Sequence, residues 1–230
     1  MQEFLSWRSY WVYSKSIRQK NRYIYSKKVE KFFQLVLETY KDRTFLIKTG
    51  TILWRAQLGH DWVPLYQDRK AKDFVECHMP PTRMKPMKDQ ALEGRINPKG
   101  IPCLYLSIDR ETAMSEVRPW VSSQISVGQF EIIKDLKLVD CSIKSKNIKF
   151  YLNEPSGEKK RESVMSDIDS AFTKPVTNND AIAEYAPTQI LGELFKNNGF
   201  DGIVYSSALG IGKNIALFNI NNARQLNCLF

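Results

Sequence analysis

The chain has 230 residues, 43% of them hydrophobic and 12% aromatic, which suits one large domain or one domain with an extension and excludes an intrinsically disordered polymer. No apolar run approaches the roughly 18 residues of a membrane span, so no membrane partner is expected. The net charge of +9 is uneven, with eleven Lys and Arg against four Asp and Glu in the first 50 residues. A basic arm with interleaved aromatics permits contact with nucleic acid or an acidic partner, but no base-reading motif accompanies it, and a solvated helical surface is the simpler reading.

Residues 1–20, MQEFLSWRSYWVYSKSIRQK, alternate aromatic and basic side chains without a clean apolar stretch or a small-residue cleavage site. They do not read as a signal peptide, and a cytoplasmic location is expected. The span 26–42 reads as an amphipathic helix: Ser26 is an N-cap, and Val29, Phe32, Phe33, Val36, Leu37 and Tyr40 recur along one face. Residues 45–47 and 51–54 are short β-prone runs around Lys48-Thr49-Gly50, which predicts a hairpin or a turn into a strand. Residues 59–100 are rich in Pro, Gly and charge and poor in periodicity, and read as a long ordered loop of a kind that often binds ligands. A buried strand is predicted at 101–107, a short helix capped by Asp109 over 110–118, and strands at 126–133 and 136–141. The polar span 142–180 reads as a loop or inserted segment. A helix starts near Pro187 and ends at Asn198-Gly199, and strands at 202–206 and 214–219 close the chain. That order is α+β, with no βαβ repeat. Two parts are expected, a basic and partly helical extension over 1–43 and a domain over 44–230.

Familiar chemistries are thinly represented. Cys77, Cys103, Cys141 and Cys228 form no CxxC pair and the chain has only two histidines, so no metal site is expected. Gly210-Ile211-Gly212-Lys213-Asn214 lacks the first glycine and the Ser or Thr of a phosphate loop. No Gly-x-Ser-x-Gly elbow occurs, and two histidines leave little scope for a Ser-His-Asp triad.

Two dense blocks stand out. The first runs from Glu93 to Pro119 and holds Gly94-Arg95-x-Asn97-Pro98-x-Gly100, then Tyr105 in an apolar run, then Glu116. The second holds Tyr185-x-Pro187-Thr188-Gln189, Gly199-Phe200-Asp201-Gly202-Ile203, Tyr205-Ser206-Ser207 and Gly212-x-Asn214-x-x-Leu217-Phe218. With the upstream Trp54-Arg55-Ala56, these blocks resemble the RES-domain family, the toxins of bacterial RES–Xre toxin–antitoxin pairs, across roughly residues 50–220. The steps of 10 positions from Arg95 to Tyr105 and 11 from Tyr105 to Glu116 agree with the family's spacing. Ser206 stands where the family has Pro, so Ser207 is the serine in register, and both serines stay candidates. The 1–50 extension and enlarged 59–90 and 142–180 segments depart from the compact toxins.

The resemblance implies a fold similar to ADP-ribosyltransferases, NAD+ as substrate with no separate cofactor, and cleavage by water or by inorganic phosphate as co-substrate. Transfer of ADP-ribose to a protein or nucleic acid is the runner-up, and a non-catalytic nucleic-acid-binding protein a third reading. A small helix-turn-helix antitoxin is the implied partner. The residue types suit this chemistry. NAD+ carries a diphosphate, and breaking its glycosidic bond builds positive charge on the ribose. Arg95 is the candidate diphosphate clamp, with Arg55 a second phosphate ligand. Tyr105 is the candidate platform for nicotinamide or ribose, and Glu116 the carboxylate beside the developing cation. Ser207 orients ribose or phosphate, with Ser206 and Asn214 as further NAD+ contacts. Asn97 and Tyr205 are read as structural, and holding the Ser207 loop is a second role open to Asn214.

Overall fold

A computed structural model describes residues 3–87, 90–142, 151–174 and 181–230. Two helices open the chain, α1 (Ser9–Gln19) and α2 (Lys27–Tyr40). Strands β1 (Thr44–Ile47), β2 (Ile52–Leu58), β3 (Asp61–Gln67), β4 (Lys70–Cys77) and β5 (Leu104–Ser107) follow, then α3 (Arg110–Glu116). Next come β6 (Ile125–Ile132), β7 (Leu136–Cys141), α4 (Gly157–Thr173) and α5 (Ala181–Asn197). Strands β8 (Gly202–Ser206), β9 (Lys213–Leu217) and β10 (Ala223–Leu229) end the chain. Among the described residues one eight-stranded sheet runs β1-β7-β8-β9-β5-β2-β6-β10 and a separate hairpin pairs β3 with β4. Among the strands of the described residues only β7 and β8 pair in parallel, so the fold is α+β with a mixed sheet.

Strand alternation buries both faces of the sheet. On one side Val139, Cys141, Ile203, Tyr205 and Ala216 share a cluster with Val36 and Tyr40 of α2, Val164, Ile168 and Phe172 of α4, and Leu191 and Phe195 of α5. On the other side Leu104, Leu106, Phe130, Leu138, Val204, Ile215 and Leu217 pack with Leu53 and Met84. The N-terminal helices belong to the first cluster: Tyr13 and Ile17 of α1 are buried in it, and the Tyr13 ring stacks on Phe32 with centroids 4.6 Å apart.

Several elements differ from the sequence expectation. Of the two alternatives at 45–54, the turn into a strand holds and the hairpin does not. β1 edges the sheet against β7, whereas β2 pairs β5 and β6. Gly50, at φ +83°, donates to the Ile132 carbonyl and turns the chain between these distant positions. The expected loop at 59–100 contains the β3–β4 hairpin, whose turn residues Asp68 and Arg69 both take positive φ without glycine. Residues 88–89 lie outside the described residues. Of the expected polar loop at 142–180, residues 143–150 and 175–180 lie outside the described residues, and 157–173 form α4. Helix α5 starts at Ala181 rather than near Pro187, which sits inside it while its carbonyl accepts from the Tyr13 hydroxyl at 2.8 Å. Burial of Leu191 and Phe195 on the same helix outweighs the one ladder hydrogen bond that proline removes. Helix α1 and strand β10 were not anticipated.

Candidate active site

The sequence motifs meet at one row of residues across the sheet. Trp54 on β2 stands opposite Ser107 on β5, Ser107 opposite Asn214 on β9, and Asn214 opposite Tyr205 on β8. Residues paired this way share a face. β2 and β5 pair at only that one position, and a cleft of about 290 Å³ lies where they part. It is lined by Trp54, Arg55, Tyr105, Ser107, Glu116, Tyr205 and Asn214, with Ala56, Leu106, Ala113 and Val117 as apolar wall.

Glu116 reaches this row from the last residue of α3. The Asp109 side chain caps that helix by accepting from the Thr112 N–H at 2.6 Å and the Thr112 hydroxyl at 2.9 Å. Gly212 lies so close to Asp109 and Thr112 that a Cβ there would overlap both side chains, which seats the Ser207–Gly212 loop on the start of α3. Glu116 Oε1 accepts from the Ser207 hydroxyl and from Asn214 Nδ2, both at 2.6 Å. Ser207 Oγ in turn accepts from the N–H groups of Leu209 (3.0 Å) and Gly210 (2.7 Å). Its one donor and two acceptor positions are thereby engaged. Ser206 is not part of this cluster, because its hydroxyl donates to the Ser142 carbonyl at 2.9 Å.

The two arginines are placed differently. Arg55 lines the cleft, donates from Nη1 to the Tyr105 carbonyl at 3.0 Å, and has a buried Nε without a hydrogen-bond partner. Among the described residues it forms no ion pair, and its burial pulls the guanidinium pKa below the ordinary value. Arg95 does not line the cleft. Its Nη1 donates to the Phe172 carbonyl at the end of α4 at 2.5 Å, its guanidinium lies 5.3 Å from the centre of the Tyr205 ring, and its Nε is buried without a partner.

The turn that carries Arg95 is built from the remaining motif residues. The Tyr105 hydroxyl, whose pKa burial raises well above its ordinary value, donates to Asn97 Oδ1 at 2.7 Å and accepts from the Ile96 N–H at 3.0 Å. Asn97 Nδ2 donates to the carbonyls of Leu92 and Ile101 at 3.0 and 2.8 Å. A Cβ on Gly94 would stand 2.5 Å from the Tyr105 oxygen, so only glycine fits there. From α5, Thr188 donates to the Arg95 carbonyl at 2.6 Å and Gln189 to the Gly94 carbonyl at 2.9 Å. The Tyr105 hydroxyl is therefore committed within the protein and only its ring is presented to the cleft. Ser107, Trp54 and Tyr205 are cleft residues that sequence reasoning did not assign to the site. No cluster of three His, Cys, Asp or Glu side chains suited to a metal occurs among the described residues.

A family model described as RES domain matches residues 52–228, and the chain belongs to that family. Membership supports the coarse class implied by the motifs, an enzyme acting on NAD+. Among solved structures, a chain of the crystal structure of the M. tuberculosis MbcT–MbcA toxin–antitoxin complex is similar at 14% identity and a TM-score of 0.44, covering 85% of this chain and 91% of that one. A comparison with curated proteins returns no match.

Proposed function

We propose that this chain is an NAD+-degrading enzyme that cleaves the nicotinamide–ribose bond. The observation that carries the reading is the pairing, in one cleft, of a half-buried arginine without a carboxylate partner among the described residues and a carboxylate held by two hydrogen bonds. Desolvating a guanidinium without a counter-charge is costly, and an anionic ligand would relieve that cost. The NAD+ diphosphate supplies such an anion, and Arg55 is the arginine that lines the cleft. Trp54 and the Tyr105 and Tyr205 rings offer apolar faces for the nicotinamide and ribose.

Chemistry follows from the charge that develops. As the glycosidic bond breaks, its electron pair moves to the nicotinamide nitrogen and neutralises that ring. The ribose becomes oxocarbenium-like, and the Glu116 carboxylate stabilises it electrostatically. Water or inorganic phosphate then attacks the anomeric carbon, giving ADP-ribose with loss of a proton to solvent, or ADP-ribose-1″-phosphate. Nicotinamide leaves as a neutral base, so the step requires no cofactor beyond its substrate. In a cell such an activity arrests growth by draining NAD+, and the partner proposed for it is a helix-turn-helix antitoxin that covers the cleft.

Purified protein incubated with NAD+ tests the reading, with nicotinamide followed by chromatography in the presence and absence of phosphate. Nicotinamide release is expected, and the sugar product identifies the acceptor. Intact NAD+ under both conditions contradicts the proposal.

A further inference from the structure

Ser107 and Asn214 line the cleft and together reach its carboxylate. Both are buried, each 3% exposed, and they face each other on β5 and β9. The Ser107 hydroxyl donates to Asn214 Oδ1 at 2.7 Å, and Asn214 Nδ2 donates to Glu116 Oε1 at 2.6 Å. An asparagine amide has two ends of opposite polarity. By holding the oxygen end, Ser107 compels the NH2 end to face Glu116; the reversed amide would set an oxygen against a carboxylate.

We infer that Ser107 and Asn214 are positioning residues that lock Glu116 Oε1 in place and leave Oε2 as the oxygen presented to the ribose. This rests on the proposed cleavage of NAD+. Glu116 accepts two hydrogen bonds and both fall on Oε1, whereas Oε2 has none among the described residues. One oxygen is thus an anchor shared by Ser207 and Asn214, and the other is available. A carboxylate at the end of a seven-residue helix has three side-chain torsions to fix, and two short charge-assisted hydrogen bonds to one oxygen restrain them. Asn214 accordingly acts through Glu116.

Two measurements test the inference. The first reads the contact without any substrate: melting temperatures of wild type, E116Q, N214D and the double variant. Asn214→Asp is isosteric and places two carboxylates face to face, so it should lower the melting temperature by about 2–4 °C, the shift expected for roughly 1 kcal/mol in a chain of this size. In the E116Q background the glutamine amide can donate to Asp, and most of that loss should vanish. The second is kinetic. N214A and S107A should lower kcat on the order of 10- to 100-fold with KM nearly unchanged, as loss of a hydrogen bond to a charged group implies. Neither change should lower the residual rate of E116Q further, and S107T, which keeps the hydroxyl, should restore kcat toward wild type. An N214D penalty equal in both backgrounds, additive kinetic losses, or a rise in KM at unchanged kcat would each overturn the inference. A wild-type protein that leaves NAD+ intact would instead overturn the proposed function, while the melting series would still report on the contact.

Discussion

At the scale of single residues, the chemistry expected of a side chain and the bonds it already makes must be weighed together. Arg95 was the expected diphosphate clamp, but its guanidinium is engaged with the Phe172 carbonyl and the Tyr205 ring, and Arg55 is the arginine that lines the cleft. Arg55→Lys keeps the charge and loses the planar fork. It should therefore raise the NAD+ dissociation constant by on the order of 10-fold or more, as loss of a charge-assisted hydrogen bond would. Calorimetric titration in the E116Q background, where substrate survives, measures this; unchanged affinity would remove Arg55 from the diphosphate site. The sequence made Glu116, Ser207 and Asn214 visible because the motif order names them. It could not show Ser107 or Tyr205 as site residues, since their place depends on cross-strand register, which no local pattern encodes.

Among the elements, α3 couples stability to the site. Its N-cap Asp109 also meets Gly212, so one short helix orders both the carboxylate and the loop below Ser207. Asp109→Ala should cost about 1 kcal/mol in denaturant unfolding and reduce turnover through a looser Glu116. Full stability in that variant would mean the cap contributes little. Helix α4 was hidden from sequence by its polar composition, although Val164, Ile168 and Phe172 recur every four residues on its buried side. The β3–β4 hairpin was hidden for the opposite reason: most of its side chains are exposed on both faces, so no alternation marks it, and Pro64 argues against a strand except at an edge. Helix α4 also carries Asp167, whose carboxyl burial raises to about 6 from 3.8. A raised folded-state pKa stabilises the fold below the unfolded value, and that contribution is lost as pH rises through the folded one. Between pH 4 and pH 7 the melting temperature of wild type should thus fall relative to that of Asp167→Asn. Parallel pH profiles for the two proteins would contradict this.

For the whole molecule, the basic N-terminal segment is less an appendage than a layer of the core. Phe4, Tyr13, Ile17, Phe32 and Phe33 are buried in the cluster that also holds Ile203, Tyr205 and Ala216 of the sheet, and Arg43 pairs with Asp169 of α4 at 2.6 Å. Its charge was legible as a solvated surface and the buried face of α2 in its periodicity, but the burial of residues 1–20 was not, because aromatic residues interleaved with basic ones give little helical periodicity there. Phe32→Ala should cost about 3–5 kcal/mol, the usual range for emptying an aromatic core position, and a chain lacking residues 1–43 should fail to fold. Circular dichroism and solubility of the truncated chain check this, and a folded, soluble 44–230 fragment would show the layer to be dispensable.

The central claim, that this cleft breaks the nicotinamide–ribose bond with Glu116 facing the developing cation, is tested most directly by Glu116→Gln. The substitution keeps the shape and removes the charge, and that charge acts mainly once the ribose becomes cationic. With folding verified by circular dichroism, kcat for nicotinamide release should fall on the order of 100- to 1000-fold while the NAD+ dissociation constant stays nearly the same. A folded variant that releases nicotinamide at close to the wild-type rate would contradict the account.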